Sequence, residues 1–452
     1  MRSRTQLLVL FGVAVALAGA WYALHLGLTV AAGVKAKAVC SGVFVSGRSA
    51  EAVEREDMAA YASPFLDLVR AEVDARRGTV RASVPLVAQS VAVFRESLGC
   101  TLAAGGDPGD LVGHAGAAGA PRPAAPLATR AIDGERGARL ARVVAGAFDE
   151  PDAERARRTR AVVVVQDGRV VAERYAPGFP ADMRLPGWSM AKSVTATLVG
   201  ILVREGKLDP ARPLGAPGWA GDARDAIALG DFLRMSSGLG FEESYFSPFS
   251  DVNRMLFASR DTGAAAAAKP LEAAPGTRWS YSSGTSNIVA RAMRGVFPLH
   301  DQYLAFPRRA LFDRIGMASA VFEPDASGTF VGSSFLFATA RDWARLGILY
   351  AQDGVWEGER LLPEGWVRYS ATPAPAAPKG QYGAHWWLAL EGASPAARLP
   401  ADAFHAAGHG GQYVTVVPSR GVVVVRLGLA LARGAWDQTA FVAEVLDALG
   451  RD

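Results

Sequence analysis

Pro186-Gly187-Trp188-Ser189-Met190-Ala191-Lys192-Ser193-Val194 sets a serine three positions before a lysine. Side chains at i and i+3 are neighbours on a helix, so a helix starting at Ser189 puts the two on one face. The residues downstream have that period. Val194, Leu198, Ile201 and Leu202 fall at i, i+4, i+7 and i+8, and the pattern stops at Glu205-Gly206. Pro186 and Gly187 break regular structure just before it. Ser189 is therefore expected at a helix N-terminus, where unpaired N–H groups and the dipole favour negative charge. A serine hydroxyl is a weak nucleophile until a neighbouring base takes its proton. Lys192 can be that base only when neutral, and burial together with the positive helix end disfavours its ammonium. Lysine is scarce in this chain. Of Lys35, Lys37, Lys192, Lys207, Lys269 and Lys379, only Lys192 has a serine three positions upstream.

The chain has 452 residues, half of them apolar, enough for one large or two medium domains. Basic and acidic residues number 48 and 44, interspersed without a long block of one sign, so there is no electrostatic footprint for nucleic acid. At the N-terminus, Arg2 and Arg4 precede an uncharged, largely apolar run from Leu7 to Val34, closed by Lys35 and Lys37. It is long enough to span a bilayer. Residues 1–39 read as an inner-membrane anchor through residues 7–34, or as a signal peptide with a cleavage site at Ala18-Gly19-Ala20. Either reading exports the remainder to the periplasmic side. Lys37-Ala38-Val39 before Cys40 is a poor lipidation signal. Cys40 and Cys100, the only cysteines, most simply form one disulfide in an oxidising compartment.

Residues 40–101 read as a small N-terminal region, with helix-forming residues over Ala50–Val73 and strand alternation from Val80 to Val84. Residues 102–130 are rich in Gly, Ala and Pro and read as a linker. Within residues 131–452, a helix is expected over Glu135–Phe148. A hairpin follows, Ala161–Val165 and Arg169–Tyr175 around Asp167-Gly168. The unbroken valine run predicts a strand covered on both faces. Helices and loops fill Lys207–Arg345, among them Leu229–Met235, Ala264–Ala268, Arg308–Ile315 and Ala340–Gln352. Strand character returns at Tyr382–Leu390 and in a hairpin, Tyr413–Val417 and Val422–Leu427, before a closing helix over Ala440–Leu449. Strands at both ends with helices between predict an α+β fold: an antiparallel sheet flanked by helices, with an inserted helical lobe and an N-terminal transmembrane helix.

Two further stretches carry chemistry. Arg278–Asn287 is a polar turn able to present the Tyr281 hydroxyl to a cleft, where it can shuttle a proton between the serine and a leaving group. Gly408-His409-Gly410-Gly411-Gln412 runs into a strand; glycines there let backbone approach a ligand, and a strand N–H can join that of Ser189 on a developing oxyanion. Ser-x-x-Lys, a Tyr-centred loop and a small-residue triplet entering a late strand, in that order, resemble the serine β-lactamase and penicillin-binding-protein superfamily. Over about residues 155–450 the chain looks most like its class C-related branch, which includes esterases and 6-aminohexanoate-dimer hydrolases. Gly238-Leu239 and Pro275-Gly276 look like that branch too.

The resemblance implies a β-lactamase/transpeptidase-like fold, with Ser189 as acylated nucleophile, Lys192 as its proton acceptor and Tyr281 as acid/base. It puts His409, Gly410 and Gly411 where Lys-Thr-Gly often stands, and makes the Gln412 N–H the second oxyanion donor. Two departures weaken an antibiotic-hydrolysing reading: Tyr281-Ser282-Ser283 lacks the amide of Tyr-x-Asn, and His409 replaces a permanent cation. What is expected is a serine hydrolase of a small amide or ester, needing no metal or organic cofactor. A true β-lactamase or DD-peptidase, and a catalytically silent, membrane-tethered binding protein on the same scaffold, are the alternatives. Gly187-Trp188-Ser189-Met190-Ala191 also approaches the Gly-x-Ser-x-Gly elbow, but Pro177–Pro186 holds three prolines and no strand pattern, which that elbow needs. His405 and His409 lie four apart, yet the glycines around them argue against a metal-binding helix. Trp386 and Trp387 read as core or cleft lining.

Overall fold

The computed structural model describes residues 2–114, 119–216, 218–394 and 396–450. From the N-terminus, α1 (Arg2–Cys40) leads into short helical turns that include α2 (Ala50–Val53) and α3 (Pro64–Leu68). A meander follows, β1 (Arg70–Asp74), β2 (Thr79–Val84), β3 (Ala88–Arg95) and β4 (Gly99–Leu102). Helical character thus stops at Leu68, short of Val73. Arg70–Asp74 is drawn into a strand by its antiparallel ladder with β2.

The main sheet begins after α4 (Gly134–Gly146) with β5 (Thr159–Gln166) and β6 (Arg169–Tyr175), and is completed by β12 (Phe404–Gly408), β13 (Gln412–Val417) and β14 (Val422–Gly428). Its order is β12-β13-β14-β5-β6, antiparallel throughout, so the distant hairpins meet where β14 pairs with β5. Alternate side chains of a strand face opposite sides. Val162, Val164, Val422 and Val424 pack under α4 and the closing helix α14 (Gln438–Leu449), while Val163, Val165, Val423 and Val425 join the large core on the other face. An unbroken valine run is the sequence of a strand with apolar cover on both sides, and each buried valine contributes roughly 1.5–3 kcal/mol.

That large core holds α5 (Met190–Arg204), buried from Met190 to Leu202, and α12 (Ala340–Ala351). A helical lobe lies between them in sequence: α6 (Leu229–Leu233), α7 (Asp251–Ala258), α8 (Thr262–Ala267), α9 (Ser283–Gly295), α10 (His300–Pro307) and α11 (Asp313–Ile315). Arg308–Phe312 is a π-turn joining the last two. A small sheet, β7 (Leu185–Pro186), β9 (Leu336–Ala338) and β8 (Val321–Phe322), borders the lobe. A two-residue strand therefore does precede Ser189, made by pairing with β9 despite the prolines. Beyond a two-residue hairpin, β10 (Val355–Trp356) with β11 (Glu359–Arg360), comes α13 (Trp366–Ser370). Tyr382–Leu390 forms no continuous strand. His385 adopts φ +58° and the chain doubles back, bridging Tyr382 to Trp387 and Trp387 to His405. The strand of this region is β12, whose Phe-His-Ala-Ala-Gly carries little strand propensity and is fixed by its register with β13.

The apolar run at the N-terminus divides in two. Leu7, Leu8, Leu10, Phe11, Leu17, Trp21 and Tyr22 are exposed on α1, whereas Val30, Ala31, Ala32, Ala36 and Val39 are core. The inner half of α1 lies on β2, β3 and α7; at Gly33 a β-carbon would stand 2.1 Å from the Phe257 carbonyl oxygen, so only glycine allows that approach. Lys37 forms a buried ion pair with Glu323, a carboxylate that also accepts from the Cys100 N–H at 2.7 Å and the Ser41 hydroxyl at 2.9 Å. Burial raises the Glu323 carboxyl and lowers the Lys37 ammonium, and their mutual pairing opposes both. Cys40 and Cys100 are joined by a disulfide across a sequence separation of 60, stabilising by about 4 kcal/mol on the chain-entropy account. Of residues 102–130, part lies outside the described residues; Pro108–His114 is a 3-10 turn, and Thr129 bridges Val170 on β6.

Candidate active site

Ser189 is the residue that caps α5. Ahead of it Trp188 sits at φ +47°, a left-handed conformation costly for a bulky side chain. Its indole meets Phe335 edge-on, ring centroids 6.2 Å apart, which holds the turn that presents the serine. One turn in, the ammonium end of Lys192 is wholly enclosed. Its Nζ lies 2.9 Å from Ser189 Oγ, 3.0 Å from Ser283 Oγ and 3.2 Å from the Ser333 carbonyl oxygen. Burial pulls the Lys192 pKa down to about 8, against an opposing pull from Glu243.

The second wall is the Arg278–Asn287 turn. Tyr281 lies under the amine, its ring centroid 4.8 Å from Lys192 Nζ, and leans on Trp387 at 5.2 Å and Tyr382 at 5.9 Å. Burial, reinforced by Glu243, raises the Tyr281 pKa well beyond its ordinary value, offset in part by Ser189. The group is thus a protonated phenol at neutral pH. Trp386 is core, packed on Tyr350 and Phe404, whereas Trp387 is only partly covered and packs on Tyr281.

Three residues at this site are given no role by the sequence reading. Ser283, third in Tyr281-Ser282-Ser283, stands where Tyr-x-Asn would carry an amide. Its hydroxyl donates to Glu243 at 2.5 Å, leaving its lone pairs to accept from Lys192. Glu243 also receives the Ser283 N–H at 2.8 Å and the Tyr245 hydroxyl at 2.6 Å. His385, fully buried, donates from Nδ1 to the Lys192 carbonyl at 3.0 Å, which leaves Nε2 to accept from Ser286 at 3.2 Å. Burial, helped by the Lys192 charge, lowers its pKa to about 3, so it is a neutral strut under the first turn of α5. Of the three, only Ser283 had a signal, its place two residues after Tyr281.

The third wall is the loop joining β12 to β13. At Gly408 a β-carbon would stand 2.1 Å from the Gly187 carbonyl oxygen, so glycine is what lets this loop reach the serine turn. Arg426, buried on β14, donates to the carbonyls of Gly411 at 2.6 Å and Gly410 at 3.3 Å and pins the loop. The Gln412 side chain is spent in the sheet, donating to the Gly428 carbonyl at 2.6 Å and accepting the Gly428 N–H at 3.0 Å. That leaves only its backbone for any part in chemistry. His405 bonds Thr415 at 2.9 Å from the middle of β12. His409 is surrounded by rings: Trp188 at 5.8 Å, Tyr245 at 5.3 Å and Tyr61 at 5.8 Å. Burial lowers its pKa to about 4, so at neutral pH it carries no charge.

Ser189, Lys192, Tyr281 and the Gly408–Gln412 loop thus converge from three separate parts of the chain. A family model described as Beta-lactamase matches residues 144–429, more than half of the chain. The chain belongs to the beta-lactamase family. Among curated proteins it is similar to the 6-aminohexanoate-dimer hydrolase of Paenarthrobacter ureafaciens, 29% identical over 252 residues, or 51% of this chain and 64% of the relative. The chain therefore spans somewhat under two thirds of that relative's length. In fold this beta-lactamase-family chain is similar to a penicillin-binding protein homolog from Caulobacter crescentus, with TM-score 0.53, 18% identity and coverage of 70% and 97% of the two chains. A family VIII carboxylesterase is similar at TM-score 0.53, 14% identity and coverage of 71% and 98%. Residues before 144, with α1 and the β1–β4 meander, lie outside the beta-lactamase match.

Proposed function

We propose that the protein is a serine hydrolase that cleaves a small amide or ester through an acyl-enzyme on Ser189. The observation that carries this is the enclosed amine of Lys192, 2.9 Å from the Ser189 hydroxyl, with burial bringing its pKa close to neutrality. In its neutral form the amine has two N–H donors and one lone pair. Ser283 Oγ and the Ser333 carbonyl take the donors. The lone pair is then left for the Ser189 proton, which is the arrangement a general base requires.

Attack by Ser189 Oγ on the substrate carbonyl forms the new C–O bond as the proton passes to Lys192. The oxyanion is received by the N–H groups of Ser189 and Gln412. Tyr281, a protonated phenol beside both groups, hands a proton to the leaving alcohol or amine and is reprotonated from Lys192. Water then attacks the ester carbonyl with the same groups in reverse, releasing acid and free Ser189. No step calls for a metal or organic cofactor. The similarity to a 6-aminohexanoate-dimer hydrolase supports an amide or ester substrate. The uncharged His409 speaks against a β-lactam carboxylate partner.

The proposal includes a membrane anchor. The exposed half of α1 contains an 18-residue window of mean hydropathy 2.2, none of it buried. Arg2 and Arg4 precede that half, and Trp21 and Tyr22 lie near its inner end. Basic flanks on the cytoplasmic side and aromatic belts at the interface favour an inner-membrane helix with the catalytic body on the periplasmic side.

The decisive experiment is labelling with a fluorophosphonate alongside hydrolysis of generic esters, short amide oligomers and a chromogenic cephalosporin. Labelling of the wild type that is lost in Ser189→Ala is expected. Lys192→Ala and Tyr281→Phe should each slow ester turnover by about 10²–10⁴. Near-normal rates in both variants refute the mechanism, and no labelling of the wild type favours a silent binding protein.

A further inference from the structure

Tyr61 belongs to the N-terminal region, far outside residues 144–429, yet its ring stacks on His409 with centroids 5.8 Å apart and planes inclined by 11°. It ends a 3-10 turn, Ala59–Tyr61, and is followed by Ala62 at φ +45°, an unfavourable conformation for alanine that something must hold. The holding contacts are charged. Asp57 pairs with Arg48 at 2.6 Å and with Arg160 on β5, Glu56 pairs with Arg48 at 2.6 Å, and both guanidiniums lie over the Phe179 ring. Arg48 and Arg160 are nearly buried. The segment is thereby clasped to the first strand of the catalytic sheet.

Tyr61 and His409 are both only partly covered, so the stacked pair keeps an accessible edge although rings enclose its faces. On its other sides His409 meets Trp188, the neighbour of Ser189, and Tyr245, which bonds Glu243. We propose that Tyr61 is a specificity-determining wall of the substrate cleft, supplied by the N-terminal region, which limits the group lying against His409 to a short, uncharged arm. Ring faces and a neutral imidazole offer dispersion and weak hydrogen bonding to such an arm, and no cation to a carboxylate. This inference rests on the serine hydrolase reading above.

The test uses the full chain in detergent, with p-nitrophenyl esters from acetyl to decanoyl and labelling of Ser189 by a small fluorophosphonate. Tyr61→Ala should raise kcat/KM for the longer acyl groups relative to acetyl by about tenfold or more, the scale at which a pocket discriminates small apolar increments. Tyr61→Phe should keep the wild-type profile, and Tyr61→Trp should narrow it further toward acetyl, so the inference does not depend on one variant folding. Unchanged profiles in Tyr61→Ala and Tyr61→Trp, with Ser189 labelled as in the wild type, overturn the inference alone. A wild type that never labels overturns the hydrolase reading, and the inference with it.

Discussion

On the proposed mechanism, Lys192 acts only after losing its proton. Its pKa is about 8 and the neutral form is the active one, so kcat/KM should climb as pH rises from 6 to 9, with its midpoint near 8. Glu243 pulls that pKa upward. Glu243→Gln removes the pull, so the rising limb should move to lower pH, and a stopped-flow or plate-based pH series reads the displacement directly. A limb that stays in place, or moves to higher pH, contradicts the role given to this carboxylate. Ser189 and Lys192 were legible because their spacing is a local property of one helix. Glu243 and His385 were not, because each reaches the site across a tertiary contact that no window of sequence contains.

At the level of elements, legibility followed the strength of the local pattern. The valine runs of β5 and β14 declared two covered faces, and Asp167-Gly168 declared its turn. β12 escaped notice because its pairing with β13, rather than its composition, makes it a strand. Gly187 and Gly408 were readable as flexible, but their mutual approach was not. The contact between α1 and the body makes a stability prediction. Glu323→Ala leaves Lys37 buried beside no carboxylate and frees the Cys100 N–H and Ser41 hydroxyl. Losing one partner of a buried pair costs about 3–5 kcal/mol, measurable as a fall in the urea midpoint. A change under about 1 kcal/mol would mean that the pair is not buried as described.

For the whole molecule, the instructive residue span is Leu7–Val34. Hydropathy is blind to whether lipid or protein covers an apolar helix, so one continuous signal contained both an exposed half and a core half. Truncations separate them. A chain beginning near residue 25 keeps Val30, Ala32, Ala36 and Val39 and should retain the thermal unfolding transition and the Ser189 reactivity of the full chain. A chain beginning at residue 41 loses that packing along with Lys37 and Cys40, and should be recovered unfolded or aggregated. A well-folded product from the second construction would show that the inner half of α1 is dispensable.

Since α1 runs without interruption from Arg2 to Cys40, its exposed half and its core half form one continuous rod. At a rise of 1.5 Å per residue, Lys37 stands roughly 20 Å beyond Leu24. There its amine lies 4.4 Å over the Phe335 ring that braces Trp188. On the anchored reading, the body and its proposed nucleophile would tilt with that rod as one piece rather than swing beside the membrane on a flexible tether.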